Sequence, residues 1–430
     1  MLEKINIAEG ITLNVISTEK FKTNYLSVNF VNYLDKEKAA LNALVPQVLI
    51  RGTKKHTDLA ALKIALDELY AASVEARVYK RGEYQVCGLT ASWLADRYAL
   101  DGSSITEGTL DILEELIFEP YTEDGVFSKA YTESEKQDLI DDIRALINNK
   151  NSYAVRRCKQ EMFKDEAYGI SEYGDEGDVK KITPDLLYNA YKELLEQSVI
   201  EIFYVGGGDV AKLTERISNL FAGKKRSFKP LKKTVVSHSV SEVKEVTEKI
   251  SASQGKLSLG FRIGSSVGEE EYRAFPVFVE MYANSPVSKL FMNVREKLSL
   301  CYYCRAIPDG VKGIMIISSG IEVANKQKAQ DEILAQLENI QLGKITEDEL
   351  VLAKKSLKNV YCELDDSPAA LEGWYLTRRL SGLDDDHHTV CAGLMDVTLD
   401  EIIEAAKRIK LDTVYFLEGT EKGEGDMDDE

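Results

Sequence analysis

The sequence predicts an α+β fold built twice, as two homologous α/β-sandwich halves, each a mainly antiparallel sheet covered by helices. Two echoes, in the same order along the chain, carry the duplication. Tyr25-Leu-Ser-Val-Asn-Phe30 returns as Lys256-Leu-Ser-Leu-Gly-Phe261, each a short strand leading to a charged turn and a helix. The segment from Thr183 to Lys192 returns as Thr398 to Lys407, each opening on a threonine N-cap and running into an apolar strand, residues 199–205 in one half and 413–417 in the other. The third observation is a pair of hairpins. Residues 74–79 and 84–91 flank Lys80-Arg-Gly82, and residues 301–307 and 313–319 flank Pro308-Asp-Gly310; strands joined so tightly are antiparallel.

Helix starts are marked by chemistry that meets the unpaired N–H groups of a first turn. Thr346-x-x-Glu349 and Thr398-x-x-Glu401 read as capping boxes, and Ser367 precedes Pro368 at a first helical position. Between the halves, the run from Gly223 to Lys233 is basic, polar and proline-bearing, which suits an exposed connector. The expected division is therefore a first domain over 1–222, a connector over 223–250, a second domain over 251–420, and a disordered acidic tail over 421–430.

With 430 residues, 44% of them hydrophobic, the chain can bury two cores. Its formal charge of -18 argues against nucleic acid, whose phosphates need clustered Lys and Arg. No apolar run approaches the roughly 18 residues of a membrane span, and the N-terminus lacks a basic segment followed by an apolar one. A soluble, cytoplasmic protein is expected, with its scattered cysteines at 87, 158, 301, 304, 362 and 391 reduced.

Three motifs are tempting and have plainer readings. Cys301-Tyr-Tyr-Cys304 has thiol-redox spacing, but on a strand positions i and i+3 face opposite sides, so two separate strand cysteines are expected. Asp384-Asp-Asp-His387-His388 has a metal-like composition, yet adjacent histidines point apart in regular structure, and a polar surface loop is expected. Tyr204-Val-Gly206-Gly-Gly208-Asp lacks the remaining glycine and lysine of a phosphate-binding loop and reads as a strand-end turn.

The most informative stretch runs from Ser288 to Tyr303. Leu290, Phe291, Val294 and Leu298 recur at helical spacing, placing Arg295 near the last turn of an amphipathic helix and Tyr302 at the opening of the following strand. A guanidinium and a phenol suit holding a peptide carbonyl or a developing oxyanion; alone they break no bond. The plainer reading is a surface cation at a helix C-terminus and a tyrosine filling a strand face. Tyr303 is the competing phenol, expected on the opposite side of the strand.

Arg295-Glu-Lys-x-x-Leu-x-Tyr302, Ser285-Pro-Val-Ser-Lys-Leu-Phe291, Ile50-Arg-Gly-Thr-Lys-Lys55 and the strand ends Val205-Gly206 and Glu418-Gly419 resemble the insulinase, pitrilysin and mitochondrial processing peptidase family of zinc peptidases over nearly the whole chain. The resemblance implies a metallohydrolase-like, insulinase-type fold. It also implies an inverted zinc helix, His-x-x-Glu-His, just ahead of Gly52-Thr53, with a third ligand from a later glutamate. Here Ala43, Leu44, Val45, Pro46 and Gln47 occupy those five positions, and Asp142 falls near the third ligand. Alanine has no lone pair and proline accepts no proton, so neither ligands nor base are present. In the family the equivalents of Arg295 and Tyr302 bind substrate carbonyls across a closed chamber from the zinc.

The resulting expectation is a non-catalytic subunit, binding no metal and no other cofactor itself, that pairs with a zinc-bearing family member around peptide substrate. Arg295 and Tyr302 would grip the peptide, which would also add to a sheet edge. The isolated chain is open to pairing with itself. Two rivals stand: a scaffold or peptide-binding protein without any role in proteolysis, and an independent metallopeptidase using ligands around Gln47 and Asp142, for which too few donors exist.

Overall fold

The two echoed segments become the middle strands of two sheets, buried along nearly their whole lengths, as strands covered on both faces must be. The computed structural model describes residues 2–224 and 226–420; the acidic tail expected over 421–430 lies outside the described residues. The chain divides into two compact units, each drawn from three stretches of sequence.

The first unit comprises Met1–Arg144, Ile170–Lys233 and Pro368–Leu376. Its elements begin with β1 (Leu2–Ala8), β2 (Ile11–Ser17), β3 (Thr23–Tyr33), α1 (Ala39–Leu49), α2 (Leu59–Glu68), β4 (Ser73–Arg81) and β5 (Tyr84–Leu94). Next in the chain are α3 (Ile105–Phe118), the small hairpin β6 (Thr122–Glu123) and β7 (Val126–Phe127), and α4 (Lys129–Ala145). Beyond α5 (Lys150–Met162), which the second unit claims, come α6 (Glu176–Lys180), α7 (Pro184–Gln197), β8 (Val199–Gly206) and α8 (Val210–Phe221). The sheet order is β1-β2-β8-β3-β5-β4.

The second unit comprises Ala145–Gly169, Thr234–Ser367 and Thr377–Glu430. After α5 it carries β9 (Lys244–Ile250), β10 (Gly255–Arg262), α9 (Phe275–Val279), β11 (Tyr303–Asp309), β12 (Ile314–Ile321), α10 (Lys326–Gln341) and α11 (Glu347–Glu363). Then come α12 (Pro368–Leu380), α13 (His387–Leu394), α14 (Leu399–Arg408) and β13 (Lys410–Gly419), with sheet order β11-β12-β10-β13-β9.

Leaving out β1, the two sheets match strand for strand. The central β3 and β10 are antiparallel to both neighbours, the hairpins β4–β5 and β11–β12 lie on one side, and on the other β2 runs parallel to β8 as β9 does to β13. The duplication legible in the sequence is thus a duplication of topology. Both capping boxes form, at Thr346 with Glu349 and at Thr398 with Glu401.

Each unit draws a helix from the other half of the sequence, an exchange absent from any linear division of the chain. Helix α5 buries Ala154, Cys158 and Met162 in the core that includes Ile314, Ile316, Tyr415 and Leu417. Gly260 on β10 permits that approach: a Cβ there would stand 2.3 Å from Met162 Sδ. The start of α12, in return, belongs to the first unit, where the fully buried Glu372 accepts hydrogen bonds from Ser27 and Asn29 on β3 (both 2.9 Å) and from Arg77 on β4 (2.7 Å). The Tyr25 hydroxyl donates to the same carboxylate, and burial followed by that charge pushes the phenol well up.

The expected connector differs in two respects. Its last seven residues form the edge strand β9, whose alternation of Val246, Glu248 and Ile250 with charged neighbours is a half-buried strand pattern. Its basic start is anchored: the Arg226 guanidinium donates to the carbonyls of Leu195 and Glu9 (2.9 Å each) and of Ser198. Among the described residues no helix is long and apolar enough to cross a membrane.

Candidate functional site

Helix α1 places the five positions aligned with the zinc motif inside the first unit's core. Ala43 is 1% exposed, Leu44 0% and Val45 1%, and Pro46 is also buried; Gln47 alone is partly open. Pro46 removes an N–H from the helix interior. Asp142 lies exposed on α4. The carboxylate of that helix turned toward the end of α1 is Glu135, whose side chain meets Arg51 at 3.0 Å, and burial raises its carboxyl against the pull of that guanidinium. No sequence signal separates Glu135 from its exposed neighbours. The Gly-Thr-Lys stretch is a structural turn: Thr53 Oγ1 and His56 Nδ1 both meet Glu115 at 2.9 Å, and a Cβ on Gly52 would stand 2.8 Å from the His56 carbonyl.

Arg295 and Tyr302 behave oppositely. Leu290 and Val294 are fully buried and anchor the helix to the core, while Leu298, expected on the same face, is 44% exposed. The reason is a widening: residues Phe291–Lys297 are π-helical, with Leu298 N–H donating to Asn293 O at 3.2 Å, and the extra residue per turn rotates Leu298 away from the buried face. Arg295 is 46% exposed, lies 5.0 Å from the Phe291 ring centroid and comes no nearer than 3.6 Å to Glu296. Tyr302 is 53% exposed, and among the described residues its hydroxyl has no partner. Its N–H donates to Gly320 O at 2.8 Å, so the residue is held at the head of β11 while its ring stays free. Tyr303 faces the other way: its hydroxyl donates to Asn151 Oδ1 at 2.9 Å, and burial pushes it up to about 12.

Strand β11 starts at Tyr303, two residues later than expected, which overturns the reading of the cysteine pair. Cys301 is off the strand, so alternation no longer separates it from Cys304, and the two thiols meet. The Cys304 thiol donates to Cys301 and holds it below the ordinary range against the effect of burial; Ser319 and the Arg295 charge act in the same direction. The outer edge of β11 is blunted, since Asn284 Oδ1 takes the Ala306 N–H at 2.8 Å and Pro308 has none.

The histidine pair is also corrected. His387 opens α13, with Asp386 as its N-cap, so the run is not simply a loop. Both imidazoles turn to one carboxylate, His387 Nε2 to Asp365 Oδ1 at 2.9 Å and His388 Nε2 to Asp365 Oδ2 at 3.2 Å. The glycine run after β8 is the expected strand-end turn, with Asp209 capping α8.

Comparison with known proteins gives the family and the fold. The family profile described as "Peptidase M16 inactive domain" matches residues 181–357. The "Probable inactive metalloprotease YmfF" of Bacillus subtilis (strain 168) is 33% identical over 412 residues, covering 96% of each chain. A conserved protein from Enterococcus faecalis V583 superposes with a TM-score of 0.89 at 30% identity, covering 99% of this chain and 100% of that one. A Pseudomonas fluorescens structure described as a peptidase M16 inactive domain shares the fold with a TM-score of 0.79 at 15% identity, over 99% of this chain and 100% of that one. A duplicated α/β-sandwich fold, the match to the M16 inactive domain and a full-length relative named a probable inactive metalloprotease lead to one conclusion: the chain belongs to the M16, or insulinase, peptidase family, as a homologue of its inactive members.

Proposed function

We propose that this chain is a peptide-binding subunit that completes the active chamber of a zinc-bearing M16 partner in the cytoplasm. The observation carrying the reading is the state of two side chains: Arg295 and Tyr302 are half exposed, while positions 43–46 are filled with core. The phenol has no side-chain partner among the described residues and the guanidinium only a long 3.6 Å contact with Glu296, so both are available to a peptide carbonyl, to which a guanidinium presents several donors at once. The blunted edge of β11 leaves side chains, rather than added strand pairing, as the grip at that point. Zinc and general base come from the partner.

The test mixes this chain with a family member that carries an intact zinc motif. Cleavage of an unfolded peptide is expected from the pair and from neither chain alone. A partner whose activity is indifferent to this chain, while the chain still binds peptide, would instead make it a scaffold outside proteolysis.

A further inference from the structure

We propose that Asp365, His387 and His388 form a binding site for one borderline divalent transition-metal ion, of which Zn2+ is the probe. The site lies in the second unit, is separate from the degenerate motif on α1, and does not rest on the peptide-binding reading. Three donor atoms, one from each residue, lie within 4.8 Å of one another. The two imidazole-to-carboxylate separations, 2.9 and 3.2 Å, are those of neighbouring ligands on one ion. Bonds of about 2.0–2.2 Å to nitrogen and oxygen place adjacent donors roughly 3 to 3.5 Å apart in tetrahedral or octahedral geometry.

Preorganisation favours the same reading. His387 is 3% exposed, fixed at the start of α13, and Asp365 sits in the turn Leu364–Asp366 that ends α11, so two of the donors are held by the fold. His388 is open, giving an ion an approach and room for water as a remaining ligand. The two rings lie 4.1 Å apart and tilted by 36°. Asp384, Asp385 and Asp386 in the preceding loop add negative charge that draws cations. A bound ion would tie the end of α11 to the start of α13. His388 also borders a hollow lined by Cys362, Cys391 and Met395, which makes thiolates the competing donors.

Isothermal titration of tag-free, chelator-stripped, full-length protein with zinc chloride tests the site, alongside the absorption spectrum of the Co2+ form. One ion per chain is expected, with affinity lowered about tenfold or more in His388→Ala and Asp365→Asn, unchanged in Gln47→Ala, and no thiolate charge-transfer band. His388 is exposed, so its substitution spares the fold, which circular dichroism checks. Absence of binding by the wild type would overturn the proposal and leave hydrogen bonds only. So would undiminished binding by His388→Ala, loss of binding in Gln47→Ala, or a thiolate band placing the ion on Cys362 or Cys391.

Discussion

Residues 43–47 of α1 and the pair Arg295 and Tyr302, singled out together by the sequence, have opposite surroundings. The first set is absorbed into the core, Ala43, Leu44 and Val45 being at most 1% exposed. The second keeps its polar ends in the open, supported from behind by Leu290 and Val294, both fully buried. Apolar side chains on a buried helix face are what packing favours. An exposed guanidinium and phenol contribute little to stability. Their presence is therefore not explained by the fold.

Stability measurements can break that contrast. The largest loss is expected away from both sets, at Glu372→Ala, which leaves Arg77 without its buried counter-charge; urea denaturation is expected to show a loss of about 3 kcal/mol or more. Ala43→His forces a large polar ring into a filled site and is expected to cost about 2 kcal/mol. A stable, zinc-binding Ala43→His protein would show that α1 keeps room for a metal, and the contrast would fail.

A smaller effect depends on pH. Burial alone would raise the Glu248 carboxyl, but hydrogen bonds from Tyr415 (2.6 Å), Tyr153 (2.7 Å) and Arg157 (3.2 Å) outweigh it and hold the group below its usual range. A depressed carboxyl contributes stability above its unfolded pKa of about 4.3, and that contribution disappears as pH falls through the folded value. Wild-type stability is expected to decline between about pH 5 and pH 3 more steeply than that of Glu248→Gln. Coincident curves would remove Glu248 as a fastening of α5. The smallest change is expected at Arg295→Ala and Tyr302→Phe, within about 0.5 kcal/mol of wild type by thermal melting. A larger loss would make the pair structural after all.

Strands, hairpins, helix caps and the duplication are legible because each is written in local pattern: two-residue alternation, Gly turns, and Thr with Glu three residues on. What local pattern cannot carry is partnership across sequence. Glu372 reads as one more helix acid until α12 is seen to deliver it to β3 and β4, nearly three hundred and more residues away in the chain. Cys301 and His388 depart from expectation where regular geometry does not extend as far as their neighbours suggest, ahead of the start of β11 and at the first turn of α13. The π-helical turn at Arg295 leaves no mark in a periodicity that assumes 3.6 residues per turn.

The most direct measurement is kcat/KM for peptide cleavage by the reconstituted pair, with wild-type chain and with Arg295→Ala and Tyr302→Phe, each at matched melting temperature. If these groups hold a carbonyl through the transition state, each substitution is expected to lower kcat/KM by about 100-fold or more, the usual cost of one such donor. Rates equal to wild type in both variants would contradict the claim that this chain supplies the grip its partner's zinc requires.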